Sequence, residues 1–125
     1  MGSRMPACCM ASGRALLAGL TNEEVCELYP NEEIPQLTKD NPKHRSQLLA
    51  ILEEARANGY SKEIKGTRPH MFSYGARVVP PSGRAKAAVA ITMYEGDINP
   101  EVEAKAIDAI LKLAADLSKL GDLLQ

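Results

Sequence analysis

His70-Met71-Phe72-Ser73-Tyr74-Gly75-Ala76-Arg77-Val78-Val79 and Lys86-Ala87-Ala88-Val89-Ala90-Ile91-Thr92-Met93-Tyr94 decide the fold. Both runs are rich in strand formers, and Pro80-Pro81-Ser82-Gly83 lies between them, so they read as a β-hairpin. Side chains alternate along a strand. Phe72, Tyr74, Ala76 and Val78 therefore share one face of the first strand, and Ala87, Val89, Ile91 and Met93 share one face of the second. A register with Ser73 opposite Thr92 puts both bulky sets on the same side, ready to pack against helices. The other side carries Ser73, Gly75, Ala88, Ala90 and Thr92, all small, two with hydroxyls. A sheet face this bare leaves volume to fill. Either a covering helix presses close, or a small ligand sits there with the hydroxyls as partners.

The rest of the chain sets bounds. A length of 125 residues suits one domain with a buried core, and 45% apolar with 25% charged residues is ordinary globular composition. The net charge is −1, and no basic cluster interleaves with aromatics, which argues against a nucleic-acid surface on this chain itself. No apolar run reaches membrane-spanning length, and Met1–Met10 has no sustained apolar stretch of the secretory kind. Three cysteines, two of them adjacent at Cys8 and Cys9, fit a reduced, cytoplasmic protein.

In chain order, a helix is expected from Ala11 or Ser12 to about Leu20, with Ser12 as its cap and Gly13 allowing close backbone approach in front of it. A helix start presents unpaired N–H groups and favours an anion. Thr21-Asn22-Glu23-Glu24 is a capping box for a second, short helix that stops before Pro30. Asn31–Asp40 reads as loop. Asn41-Pro42 is expected to open a third helix, with Leu48, Ile51, Leu52 and Ala55 facing the core and Gly59 as its left-handed cap. Tyr60–Ile64 is a short strand, followed by a turn at Gly66 and Pro69. After the hairpin, Asp97-Ile98-Asn99-Pro100-Glu101 starts a last helix. Its apolar stripe runs through Val102, Ala106, Ile110, Leu113, Leu117 and Leu120, widened by Ile107, Leu111 and Ala114, and Gly121 ends it; so wide a stripe reads as core, and its end could also serve a dimer. About 20 residues give roughly 30 Å, enough to cross a small sheet. Only three strands are read, thin support for four helices, so upstream strands or pairing with another chain are expected.

Two stretches resemble a known family. Pro6-Ala7-Cys8-Cys9-Met10-Ala11-Ser12-Gly13-Arg14-Ala15-Leu16-Leu17-Ala18 resembles the entry into the first long helix of the effector domain of IclR-type (isocitrate lyase regulator) transcription factors. Arg56-Ala57-Asn58-Gly59-Tyr60-Ser61, followed by Ala85-Lys86-Ala87-Ala88-Val89-Ala90-Ile91-Thr92, resembles that domain's second half. The resemblance spans about Gly2 to Leu120. It implies an α+β, GAF-like effector-binding domain, an antiparallel sheet with flanking helices, here without the domain's N-terminal strands. Residues 1–125 are then one domain, part of such an effector domain. It implies a cytoplasmic prokaryotic regulator that binds a small organic or aromatic acid and forms a homo-oligomer, dimer or tetramer. DNA would be bound only through a winged helix-turn-helix domain that this sequence does not contain. Neither a cofactor nor enzyme activity is implied.

Carried over position by position, the family's pocket falls on Met5 as an apolar wall, on Ala11 and Ser12 with their backbone N–H groups, on Glu63, on Met71 and Ser73, and on Ala90 and Thr92. The hairpin positions agree with the small face found by alternation. This sequence departs from the family at Cys8 and Cys9, where several members have His and Ala, and at Thr67–Tyr74, where Arg68, Pro69 and His70 replace a Gly-rich, Cys-containing segment.

Other readings compete. A structural oligomerisation module would need no ligand. A metal or thiol sensor would use Cys8, Cys9 and Cys26 with His70, but adjacent cysteines rarely chelate one zinc and no Cys-x-x-Cys occurs. An enzyme would need a nucleophile paired with a base. Ser12 is in no nucleophile elbow, His44 reads as a solvated residue in the first turn of a helix, and His70 reads as structural.

Overall fold

The computed structural model describes residues 7–65, 68–79 and 87–120. A 3-10 turn, Ala7–Cys9, leads into α1 (Ala11–Ala18), α2 (Asn22–Leu28) and α3 (Arg45–Asn58). Then come β1 (Ser61–Ile64), β2 (Met71–Val78), β3 (Ala87–Tyr94), a second 3-10 turn at Glu95–Asp97, and α4 (Pro100–Leu120). The architecture is α+β, with one antiparallel sheet in the order β1-β2-β3. Met5, Gly66, Gly121 and the Pro80–Gly83 turn lie outside the described residues.

The hairpin register is the expected one: Ser73 faces Thr92, Tyr74 faces Ile91 and Ala76 faces Val89. Its bulky side packs on α4, where Tyr74, Ala76, Ile110 and Ala114 are buried with Phe72, Val78, Val89, Ile91, Met93 and Ile107 around them. The small side meets α1, which is short and rich in Ala. Gly75 is the point of contact. A Cβ there would lie 2.5 Å from the Ala11 carbonyl oxygen and 2.9 Å from Ser61 Oγ, so only glycine admits the helix. Ser61 Oγ donates to that same Ala11 carbonyl and ties β1 to the start of α1. Gly13 plays the matching part on the other side, where a Cβ would sit 2.3 Å from the Ala7 carbonyl oxygen. The backbone that comes close in front of the helix is thus the 3-10 turn.

Beyond α1 lies a second cluster: Cys8, Cys9, Leu17, Ala18, Val25, Ile34, Leu48, Leu52 and Ala55. Leu48, Leu52 and Val25 are fully buried, and burial of each such side chain is worth about 1.5–3 kcal/mol. Arg56 on α3 closes the end of α1, donating to the carbonyls of Ala18 at 2.9 Å and Leu20 at 2.8 Å and to Asn22 Oδ1 at 2.9 Å. A cation suits the negative end of a helix. The capping box of α2 is formed as expected: Glu24 N–H donates to Thr21 Oγ1 and Thr21 N–H to Glu24 Oε1, both at 3.1 Å. Gly59 takes φ 82° and closes α3.

Three local expectations fail. Ser12 does not cap α1; Met10 holds the cap position without a side-chain bond, and Ser12 lies inside the first turn. Asn41 does not cap α3. Its Oδ1 accepts from Leu37 N–H and Thr38 N–H, both at 2.9 Å, so the loop captures it. The helix starts three residues later than Pro42, with His44 at its cap position, and Gln47 Oε1 accepts from the His44 N–H at 3.1 Å. The stripe of α4 is buried at Ala106, Ile110 and Ala114, while Leu113 and Leu120 are each 49% exposed. Neither leucine belongs to the cluster between α4 and the sheet. Among the described residues no helix is long and apolar enough to cross a membrane.

Candidate functional site

The small face of the hairpin divides into two. At Gly75 it is covered by α1. Beside that contact it opens into a pocket of about 340 Å3, lined by Met10, Ala11, Ser12, Glu63, Arg68, Met71, Ser73, Ala90 and Thr92. The choice between close packing and an open space therefore falls both ways, a few ångströms apart.

Each wall has a local cause. The start of α1 forms one wall because Gly75 and Ser61 hold it there. Among the described residues no acceptor takes the Ala11 or Ser12 N–H, and Met10 supplies no side-chain cap. Ser73 and Thr92 form the floor as a cross-strand pair, their hydroxyls hydrogen-bonded at 2.9 Å. Ala90 leaves room next to them, and it and Thr92 are exposed. Glu63 pairs with Ser73 across β1 and β2 and is only 1% exposed, so it is not a solvated strand end. Behind it Arg14 is equally buried, donating through Nε to the Cys8 carbonyl at 2.9 Å and through Nη1 to the Lys62 carbonyl at 3.0 Å. Burial lowers the Arg14 pKa, and attraction to the Glu63 carboxylate works against that shift. The Glu63 carboxylate thus has a buried cation in its neighbourhood rather than apolar surroundings alone.

Seven residues named from the sequence meet at this pocket: Ala11, Ser12, Glu63, Met71, Ser73, Ala90 and Thr92. Met5 lies outside the described residues. Two lining residues were not among the named site positions: Met10, and Arg68, which the sequence marks only as a departure from the family that bears on the ligand class. Met10 follows from the cap lying two residues before Ser12. Arg68 carries no periodic signal, and it falls where the sequence departs from the family.

A cavity of about 390 Å3 lies between α3 and β1, bordered by Asp40, Ile51, Glu54, Asn58 and Lys62. Volume does not choose between the two, since ligand pockets start at about 300 Å3. Chemistry does: only the hairpin pocket joins helix-start amides, a hydroxyl pair and both signs of charge. The cysteines stand apart from it. Cys8 and Cys9 are fully buried in the helical cluster, and burial raises the Cys9 thiol to about 11. Among the described residues no group of three metal-ligating side chains comes together.

Fold and pocket define a class, an α+β domain in which a helix start and an open sheet face enclose a small polar cavity. Residues 1–119 match the family model described as "Bacterial transcriptional regulator IclR C-terminal", and the chain belongs to that family. It is similar to the Pca regulon regulatory protein of Pseudomonas putida, 24% identical over 118 residues, covering 94% of this chain and 40% of that protein. Among solved structures it is similar to the Agobacterium tumefaciens repressor BlcR, 31% identical with a TM-score of 0.87 over 95% of this chain and 49% of that one. It shares its fold with the inducer-binding domain of the PobR transcription factor from Acinetobacter, a double mutant in complex with 3-hydroxybenzoic acid. There the identity is 20% and the TM-score 0.84, over 96% of this chain and 69% of that one. The chain spans about half or less of the length of the curated relative and of BlcR. The family and these relatives are transcriptional regulators, not enzymes.

Proposed function

We propose that this chain senses a small organic or aromatic acid for a transcriptional regulator, in the cytoplasm, as part of an effector-binding domain. The observation that carries the reading is convergence: seven positions named from alternation and resemblance line one cavity. Its volume of about 340 Å3 suits a ligand of the size of a monocyclic acid. The effector sits against the start of α1, where the Ala11 and Ser12 amides offer hydrogen-bond donors to an acceptor on it. Ser73 and Thr92 supply hydroxyls, and Glu63 accepts from a hydroxyl on the effector, not from its carboxylate. The complex of the related PobR domain with 3-hydroxybenzoic acid supports this ligand class.

Occupancy favours one arrangement of α1 against the sheet and so biases a winged helix-turn-helix domain elsewhere in the regulator. Self-association fits the half-exposed Leu113 and Leu120 on α4.

Calorimetry on this chain with benzoate, 3-hydroxybenzoate and short aliphatic mono- and dicarboxylates tests the reading. Saturable binding by at least one acid, weakened by Thr92→Val, is expected. A folded protein that binds none of them refutes it.

A further inference from the structure

Arg68 lines the pocket from the turn between β1 and β2. Among the described lining residues it is the one positive side chain, and Glu63 is the one negative. Arg14 behind Glu63 offsets that negative charge, so the pull that orients an acid guest comes from Arg68: its carboxylate turns towards that side chain. Arg68 itself is exposed, so something other than burial must fix where it points.

One residue grips both flanks of that turn. Glu95, in the 3-10 turn after β3, bonds His70 Nδ1 through Oε1 and pairs with Lys65 Nζ at 3.4 Å through Oε2. Its N–H donates to the His70 carbonyl at 2.7 Å. Lys65 is held further by its N–H to the Met71 carbonyl at 2.8 Å, and by Thr38 Oγ1 to its own carbonyl at 2.9 Å. Lys65 and His70 have φ of 55° and 63°, a backbone conformation that residues with a Cβ keep when their neighbours enforce it. Three ties to Glu95 at the two flanks of a short turn are that enforcement.

We propose that Arg68 binds the effector's carboxylate and that Glu95 is the positioning residue that aims it, acting through Lys65 and His70. The inference rests on the effector reading above and deepens it: the acid group lies at the Arg68 end of the cavity, and a hydrogen-bond donor on the effector faces Glu63. The Ala11 and Ser12 amides are the competing carboxylate site, and the experiment separates the two.

The tightest-binding acid of the panel and its primary amide are titrated into four proteins: wild type, Arg68→Ala, Glu95→Ala and the double variant. Wild type prefers the acid by about tenfold or more, the scale of one charge-assisted hydrogen bond. Arg68→Ala abolishes that preference and leaves amide affinity in place. Glu95→Ala weakens the acid several-fold but adds nothing once Arg68 is gone, since it acts through that side chain. Glu95→Gln, which keeps an acceptor for Lys65, recovers part of the loss. Both residues are at the surface, and unchanged melting temperatures show that the variants fold. Acid preference that persists in Arg68→Ala overturns the assignment in favour of the helix-start amides. A Glu95→Ala effect of equal size in both backgrounds overturns the positioning role. If wild type binds no acid, the effector reading falls and this inference with it; binding that is indifferent to Arg68 sinks the inference alone.

Discussion

Replacing Gly75 by alanine tests how the pocket is built. On a strand, Gly→Ala ordinarily stabilises by about 0.4–1 kcal/mol, because the unfolded chain loses freedom. Here the added Cβ meets the Ala11 carbonyl oxygen at 2.5 Å, its carbon at 2.7 Å and Ser61 Oγ at 2.9 Å. Relief to ordinary contact moves the start of α1 by about 0.9 Å, against backbone rather than a yielding side-chain tip. Overpacking of this kind costs about 1–3 kcal/mol. Loss of the Ser61–Ala11 hydrogen bond adds about 1 kcal/mol. The net expectation is destabilisation by about 1–3.5 kcal/mol, read as a lower midpoint in urea unfolding followed by circular dichroism. The displaced helix start also widens the pocket, so acid affinity falls along with stability. Gly59→Ala is the control. Nothing lies within 4 Å of its Cβ, and only the left-handed φ of 82° is strained, so it costs about 1 kcal/mol and leaves binding alone. A neutral or stabilising Gly75→Ala refutes the docking of α1 on the sheet.

Other expectations follow from single contacts. Arg56→Met leaves the carbonyls of Ala18 and Leu20 without their cation, which costs about 1.5–3 kcal/mol in urea unfolding. The Glu103 carboxyl is held below its ordinary value by the Lys62 ammonium and by the Tyr74 hydroxyl. Its contribution to stability is therefore present above the unfolded carboxylate range and is lost as pH falls through the lower, folded value. Wild type should lose more stability than Glu103→Gln on acidification through that window, measured by urea midpoints at each pH. Burial raises the Cys9 thiol to about 11, and Cys8 beside it is equally buried. Iodoacetamide at mildly alkaline pH should label the half-buried Cys26 in native protein, and Cys8 and Cys9 only on unfolding, by mass spectrometry.

The hairpin was legible because alternation is a strong constraint: a slip of one residue would have put Tyr74 and Ile91 on the wrong side. The same constraint found Ser73, Ala90 and Thr92. What alternation leaves open is which part of a bare face a helix covers, and that depends on one close approach at Gly75. Caps were harder to read. Asn41 has the chemistry of a helix cap, but equally of a loop staple, and the amides of Leu37 and Thr38 outcompete the helix start. The width of the α4 stripe reads as core with an end open to a dimer, and Leu113 and Leu120 are the part that three strands leave half-exposed. Arg68 stood out only as a departure from the family, because an exposed turn residue shows no period that would place it in the pocket. The turn that carries it has two non-glycine residues at positive φ, Lys65 and His70, which no propensity foretells.

The two apolar clusters sit on opposite sides of the sheet and have no buried side chain in common. Between them runs a ribbon of main chain. Such a molecule opens in instalments: one cluster is able to loosen while the other keeps its amide protons from solvent. The cavity lies on the seam: the helix of its one wall reaches one cluster through Leu17 and Ala18, and the strand of its floor reaches the other through Tyr74, so a guest that fills it fastens the two together.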